Sequence, residues 1–187
     1  VPASLPWTVD EDANRLLADE PLALIIGMLL DQQFPMERAF LSPHLLKQRL
    51  GGTLDPVAIS EMDEEALEEV FRGPPALHRY PASMAKRTRD LCTAIVADYS
   101  GDTAQIWTGA AGGAELLKRL KALPGFGDAK AKVFVGIIGK RLGAGPDGWE
   151  EKAADWPSIA DIDSFDDVAV LREQKRAMKA KKKAEGA

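Results

Sequence analysis

Leu123-Pro124-Gly125-Phe126-Gly127 runs directly into Asp128-Ala129-Lys130-Ala131-Lys132, and amphipathic sequence lies on both sides of it. Pro124 and the two glycines permit a tight hairpin between a helix over 114–122 and another over 128–142. With no side chain at Gly125 or Gly127, backbone N–H groups can approach an anion closely. The helix opening at Asp128 adds the positive end of its dipole. Between Gly113 and Gly143 stand seven basic residues (Lys118, Arg119, Lys121, Lys130, Lys132, Lys140, Arg141) against Glu115 and Asp128. The stretch therefore reads either as a phosphate-binding surface or as a helical corner between solvated lysines.

Outward from the hairpin the pattern stays helical. Short helices are expected over 11–18 and from Pro21, and residues 22–30 are apolar on every side, as for a helix enclosed by protein. Further helices are expected over 37–50, 63–71, 81–99 and 149–155, with a last one from Phe165 into the lysine-rich end. Gly101–Gly113 and Gly143–Gly148 read as loops. No long period-two alternation demands a sheet, so the fold class is all-α.

The chain has 187 residues, 45% hydrophobic and 28% charged, which excludes wholesale disorder. Its net charge of −5 argues, taken whole, against a nucleic-acid binder. The distribution differs: from Leu171 onward seven basic residues face two acidic ones, leaving net −10 over the first 170. Binding depends on the local field, so the average does not decide. Cys92 is the single cysteine, too few for an intramolecular disulfide or a four-cysteine iron–sulfur cluster, and there are two histidines, His44 and His78. The longest apolar run is too short to span a membrane, and no signal-type stretch is read. A cytoplasmic, reduced setting is expected, beside the nucleoid in a prokaryote.

Past the hairpin, Gly145-Pro146-Asp147-Gly148 would by itself be only a turn. The joint pattern of hairpin, Gly/Pro loop and aspartate, with 24 residues from Leu123 to Asp147, resembles the HhH-GPD superfamily of DNA glycosylases, which includes endonuclease III and the adenine-mismatch glycosylases. Leu29-Leu30-Asp31-Gln32-Gln33 resembles that family's "LLSQQT"-like stretch, and the segment with Lys86, Arg87 and Arg89 resembles another. The resemblance covers roughly residues 10 to 155.

The resemblance implies a two-lobed helical glycosylase fold with a DNA cleft between the lobes. One lobe would span 21–134 and contain the hairpin; residues 1–20 and 135–187 would form the other. It implies hydrolysis of the N-glycosidic bond of a damaged or mispaired base flipped out of duplex DNA, by a monomer with no membrane association. Asp147 is the expected catalytic carboxylate, stabilising oxocarbenium-like charge on the sugar. Gln32, Leu123, Pro124, Gly125, Phe126, Gly127, Lys130 and Lys132 are the expected DNA contacts. The backbone of Leu123 and Gly125 is a candidate site for a structural Na+ or K+; no other cofactor and no iron–sulfur cluster are expected.

Departures from the family pattern refine this. Bifunctional relatives carry a lysine nucleophile at the seventh residue of the hairpin motif, where this chain has Ala129, so a monofunctional enzyme is expected. Lys130 is rotated by about 100° along the helix from that position and is expected to be a phosphate contact or a solvated lysine. Met28 stands where adenine-mismatch glycosylases have a glutamate, and Asp31 is an unusual carboxylate so near DNA. Two alternatives stay open: a non-catalytic helix-hairpin-helix DNA-binding protein, and a bifunctional glycosylase and abasic-site lyase using Lys130. The basic tail reads equally as a DNA-binding arm and as a solvated terminus.

Overall fold

The computed structural model describes residues 2–186, and every regular element among them is helical. Asp10 caps α1 (Glu11–Asp19) by accepting the Ala13 N–H at 3.0 Å. α2 (Pro21–Leu30) begins on a proline whose missing N–H costs nothing in a first turn. Its residues from Leu22 to Leu30 are all buried, which leaves this helix no polar face. It is the central rod: α1, α3 (Met36–Ala39), α4 (Ser42–Arg49) and α7 (Pro81–Tyr99) all pack on it.

The expected helix over 37–50 is in fact two, α3 and α4. Pro43 cannot donate a ladder hydrogen bond and sits in the first turn of α4. Between the two helices the Phe40 ring turns against α2, where a Cβ on Gly27 would lie 2.6 Å from its Cδ1. Ser42 Oγ, within 2.6 Å of the Leu77 carbonyl, ties the restart to the loop before α7. A helix absent from the sequence expectation, α5 (Pro56–Glu61), is capped by Asp55 and packs on α7 with α6 (Glu64–Arg72).

After the short α8 (Gln105–Thr108) come α9 (Gly113–Lys121) and α10 (Asp128–Gly136), which pack on each other across the hairpin. α10 continues as a π-helical turn over Ile137–Arg141. The helix expected over 149–155 is instead a run of turns, held by the Ala154 N–H to the Lys132 carbonyl at 3.0 Å. Trp149 explains it: its indole lies where a Cβ on either Gly139 or Gly145 would approach within 2.3 Å. That ring is packing, wedged between two glycines. α11 (Asp167–Glu185) buries Val168 and Leu171 and then runs outward, exposed.

The two ends of the chain meet. Trp7 is fully buried, packs edge-on against Phe40 with centroids 4.8 Å apart, and donates its indole N–H to the Ile162 carbonyl at 3.4 Å. Cys92 is a core residue of α7, and burial pushes its thiol up to about 12. No helix of the described residues is long and apolar enough to cross a membrane.

Candidate active site

Leu123 and Phe126 bury their side chains and anchor the hairpin, while the Phe126 N–H closes its turn on the Leu123 carbonyl at 3.1 Å. Gly125 has φ +82°, and a Cβ there would meet Leu29 Cδ1 at 2.4 Å. A side chain at 125 would thus be both strained and obstructed, so the hairpin can seat on the end of α2 only with glycine. Gly125 and Gly127 expose their backbone, and Pro124 is half-buried. Asp128, in the first turn of α10, is exposed between Lys132 at 3.0 Å and Lys121 at 3.2 Å. Those two lysines hold its carboxyl below the usual range, Lys132 first. Lys132 therefore neutralises an acid at the mouth of the hairpin.

The contact between hairpin and α2 continues through Lys130. Its Nζ donates to the Leu29 carbonyl at 2.9 Å and to Gln32 Oε1 at 3.0 Å, and lies 5.9 Å from the centre of the Phe126 ring. Of the two expectations for Lys130, a phosphate contact or a solvated lysine, neither included these contacts with the end of α2. The stem is half-buried, and the ammonium reaches across to the turn that follows α2. Burial, with Arg87 of α7 adding like charge, pushes Lys130 down to about 8, while Asp31 opposes the shift. Desolvation of this kind raises the share of a lysine that is neutral amine near neutral pH.

Asp31 closes α2, its N–H bonded to the Met28 carbonyl at 3.2 Å. Burial raises its carboxyl; Lys175 of α11 and then Lys130 pull it down, and Glu37 pushes it up again. Gln32 is held at both ends: its side chain accepts from Lys130, and its carbonyl faces His78 Nε2 at 3.0 Å. His78 Nδ1 accepts the Tyr80 N–H at 3.0 Å, so the ring proton must sit on Nε2 and donate to Gln32. Burial keeps His78 below its ordinary value. Gln33, exposed with φ +51°, is the tip of this loop. Beside it Gln33, Phe34, Arg38, His78 and Arg79 line a cleft of about 510 Å³, with Arg38 stacked over Phe34 at 4.7 Å. A larger hollow of about 730 Å³ between α7 and α9, lined by Tyr99, Glu115 and Arg119, contains none of these groups.

Asp147 lies elsewhere. It is exposed in a turn closed by the Trp149 N–H on the Pro146 carbonyl at 3.1 Å, with Gly148 at φ +77°. Its backbone carbonyl takes the Gly113 N–H at 2.8 Å, which fixes the loop to the start of α9. Among the described residues its carboxylate has no hydrogen-bond or ion-pair partner. Lys130, Gln32 and the hairpin are brought together directly, whereas among the described residues no hydrogen bond or ion pair links Asp147 to them.

Several expected surface cations are engaged in structure. Arg119 donates to the carbonyls of Gln105 and Gly109 and to Glu115, bracketing α8 onto α9. Lys140 pairs with Asp161 at 2.6 Å, Arg141 with Asp163, and Lys86 with Asp90 at 3.2 Å. Sequence reasoning missed Glu37 as a neighbour of the site and had Arg87 and Lys175 only as members of basic segments. The one available signal was Asp31, a carboxylate ending a wholly apolar helix.

Helical hairpin, glutamine turn and half-buried lysine meet at the end of α2, which makes this a helix-hairpin-helix site. Residues 26–186 match the HhH-GPD superfamily base excision DNA repair protein family, and the chain belongs to that family. Membership carries a base excision repair role of the DNA glycosylase type, acting on DNA. The match runs through α11, so the C-terminal helix belongs to the family domain. Comparison with curated proteins and with solved structures returned no match.

Proposed function

We propose that the chain is a DNA glycosylase whose nucleophile is the Lys130 amine, cleaving the bond between a damaged or mispaired base and its sugar and then nicking the strand. The observation that carries this is the Lys130 ammonium held between the Leu29 carbonyl and Gln32 Oε1 and pushed down to about 8. At pH 7.5 roughly a quarter of such a lysine is neutral amine, against about a thousandth at an ordinary value of ~10.4. The target nucleotide is extruded from the stack to meet it. Leu123, Pro124, Gly125, Phe126 and Gly127 present hairpin N–H groups to a backbone phosphate, with Lys132 alongside. Gln32 and the exposed Gln33 fill the gap left in the duplex.

The hairpin fits a monovalent cation, Na+ or K+, through the carbonyls of Leu123 and Gly125: the Phe126 N–H uses one lone pair of Leu123 and leaves the other. Such an ion would add positive charge under a bound phosphate. The cleft is assigned between a lobe over 21–134 and a second lobe from 1–20 and 135–187, in a monomeric enzyme of the cytoplasm or nucleoid.

A second reading keeps Asp147 as the catalytic carboxylate of a monofunctional hydrolase. Its exposed, unpaired side chain on a fixed turn supports it. Duplex oligonucleotides carrying uracil, alkylated purines, oxidised bases or mismatches separate the two. The lysine reading expects strand nicking without alkali on at least one substrate, lost in Lys130→Met. Base release revealed only by alkali, retained in Lys130→Met and lost in Asp147→Asn, would establish the second. Tight DNA binding with no base release across the panel would contradict both and favour a non-catalytic module.

A further inference from the structure

The first turns of α11 dock on the rest of the chain through Val168 and Leu171, both buried, and through the ion pair of Arg172 with Glu37 of α3. At about 100° per residue these three side chains fall within roughly 100° of the helix circumference. Lys175, Lys179, Lys182 and Lys183 fall in the same sector and widen it only to about 120°. The lysine stripe is therefore the docking face of α11, continued past the last buried residue. From Glu173 to Glu185 every residue is exposed, so nothing in the chain covers it.

No acid lies within the stripe. Glu173 pairs with Arg176, at its edge, at 2.8 Å, and Glu185 with Lys181, on the far side of the helix, at 4.0 Å. Among the described residues the four lysines make no ion pair. Like charges three and four residues apart oppose helix formation. A face that had only to stay solvated would place acids among them, as Asp90 serves Lys86 and Asp161 serves Lys140. The helix dipole favours Lys182 and Lys183 in the last turn, but not Lys175 and Lys179. The sector opposite carries Ala177, Ala180 and Ala184 instead of charge.

The stripe also starts beside the candidate site. Glu37, which holds Arg172, is followed by Arg38, and Arg38 lies over the Phe34 ring and lines the cleft next to Gln33. A polyanion seated at the glutamine turn can continue along the lysines without leaving that side of the molecule.

We propose that the lysine stripe of α11 is a phosphate-tracking arm that grips the duplex flanking the target nucleotide, on one flank only. From Lys175 to Lys183 the helix rises about 12 Å, the axial length of three to four base pairs. Its occupant is the DNA on which the family acts, and the arm serves either reading of the catalytic residue. Its contacts are to phosphate oxygens, which hold and orient the duplex and carry no sequence information.

Equilibrium binding of a fluorescent duplex with a tetrahydrofuran abasic site near its middle, measured across salt concentrations, tests the arm without reading base release. Each phosphate neutralised contributes about 0.9 to the slope of log affinity against log salt. Combining Lys175→Gln, Lys179→Gln, Lys182→Gln and Lys183→Gln should lower that slope by about 3 to 4 and weaken binding at least roughly tenfold at about 50 mM salt. Lys181→Gln, on the far side, should keep the wild-type slope. Cutting back one flank of the duplex should erase the difference between wild type and the fourfold variant, whereas cutting back the other should preserve it. A fourfold variant within about one unit of the wild-type slope would overturn the arm and leave the stripe a solvated face. A loss of about 0.9 in Lys181→Gln would assign the affinity to bulk charge of the tail and overturn the stripe. A difference that does not depend on which flank is cut would overturn the one-sided placement.

Discussion

The tautomer of His78 governs one wall of the cleft. With Nδ1 accepting from Tyr80 and Nε2–H donating to Gln32, a second ring proton would displace the Tyr80 N–H from its only ring acceptor. Burial opposes that charge as well. In the unfolded chain the ring takes a proton near its ordinary 6.5, whereas the folded value lies lower. Stability from this group is therefore full above pH 6.5 and drains as pH falls toward the folded value. NMR should show a neutral, Nε2-protonated ring persisting below pH 6.5. His78→Ala should lose about 1–3 kcal/mol by stranding the Gln32 carbonyl and the Tyr80 N–H. A ring titrating at 6.5 or above, or an Nδ1–H tautomer, would contradict this hydrogen-bond assignment. Lys130 was the residue least legible beforehand. The step of about 100° from Ala129 to Lys130 lies wholly within α10, but it leaves out the reach of a four-carbon stem, which carries Nζ to the end of α2.

Among the elements, α2 and the hairpin were the clearest in sequence, because an apolar run with no polar face and a Pro/Gly turn each have few other uses. The break between α3 and α4 was also written in Pro43, yet the apolar spacing across it imitates one helix. The turns over 149–155 were not legible: they exist because Gly139 and Gly145 make room for one indole, a contact across sequence that periodicity does not carry. α11 was seen as a helix but not as a neighbour of the site, since its link is a single ion pair to α3 and a charge facing Asp31. Arg172→Ala should release it. Half-exposed pairs of this kind contribute about 1 kcal/mol or less, so global Tm should barely change while α11 becomes the first site of limited proteolysis. Unchanged protection of residues 167–185 in that variant would show that Val168 and Leu171 suffice to dock the helix.

For the molecule as a whole, the net charge of −5 proves a poor guide, because acids and bases are sorted by place. The C-terminal acids Asp161 and Asp163 neutralise Lys140 and Arg141, and Asp128 is neutralised by its own lysines. Lys130 instead reaches the end of α2 beside Gln32, with Arg87 of α7 adding like charge to it. The all-α class and the hairpin followed from local sequence. The meeting of α2, α7 and α10 at one amine required the fold. Borohydride trapping on lesion-containing duplex DNA, followed by mass-spectrometric mapping of the adduct, tests that convergence most directly. A reduced sugar adduct on the peptide containing Lys130, lost in Lys130→Met and kept in Asp147→Asn, is the expected result. Base release with no adduct, surviving Lys130→Met and abolished in Asp147→Asn, would contradict the assignment of Lys130 as the nucleophile.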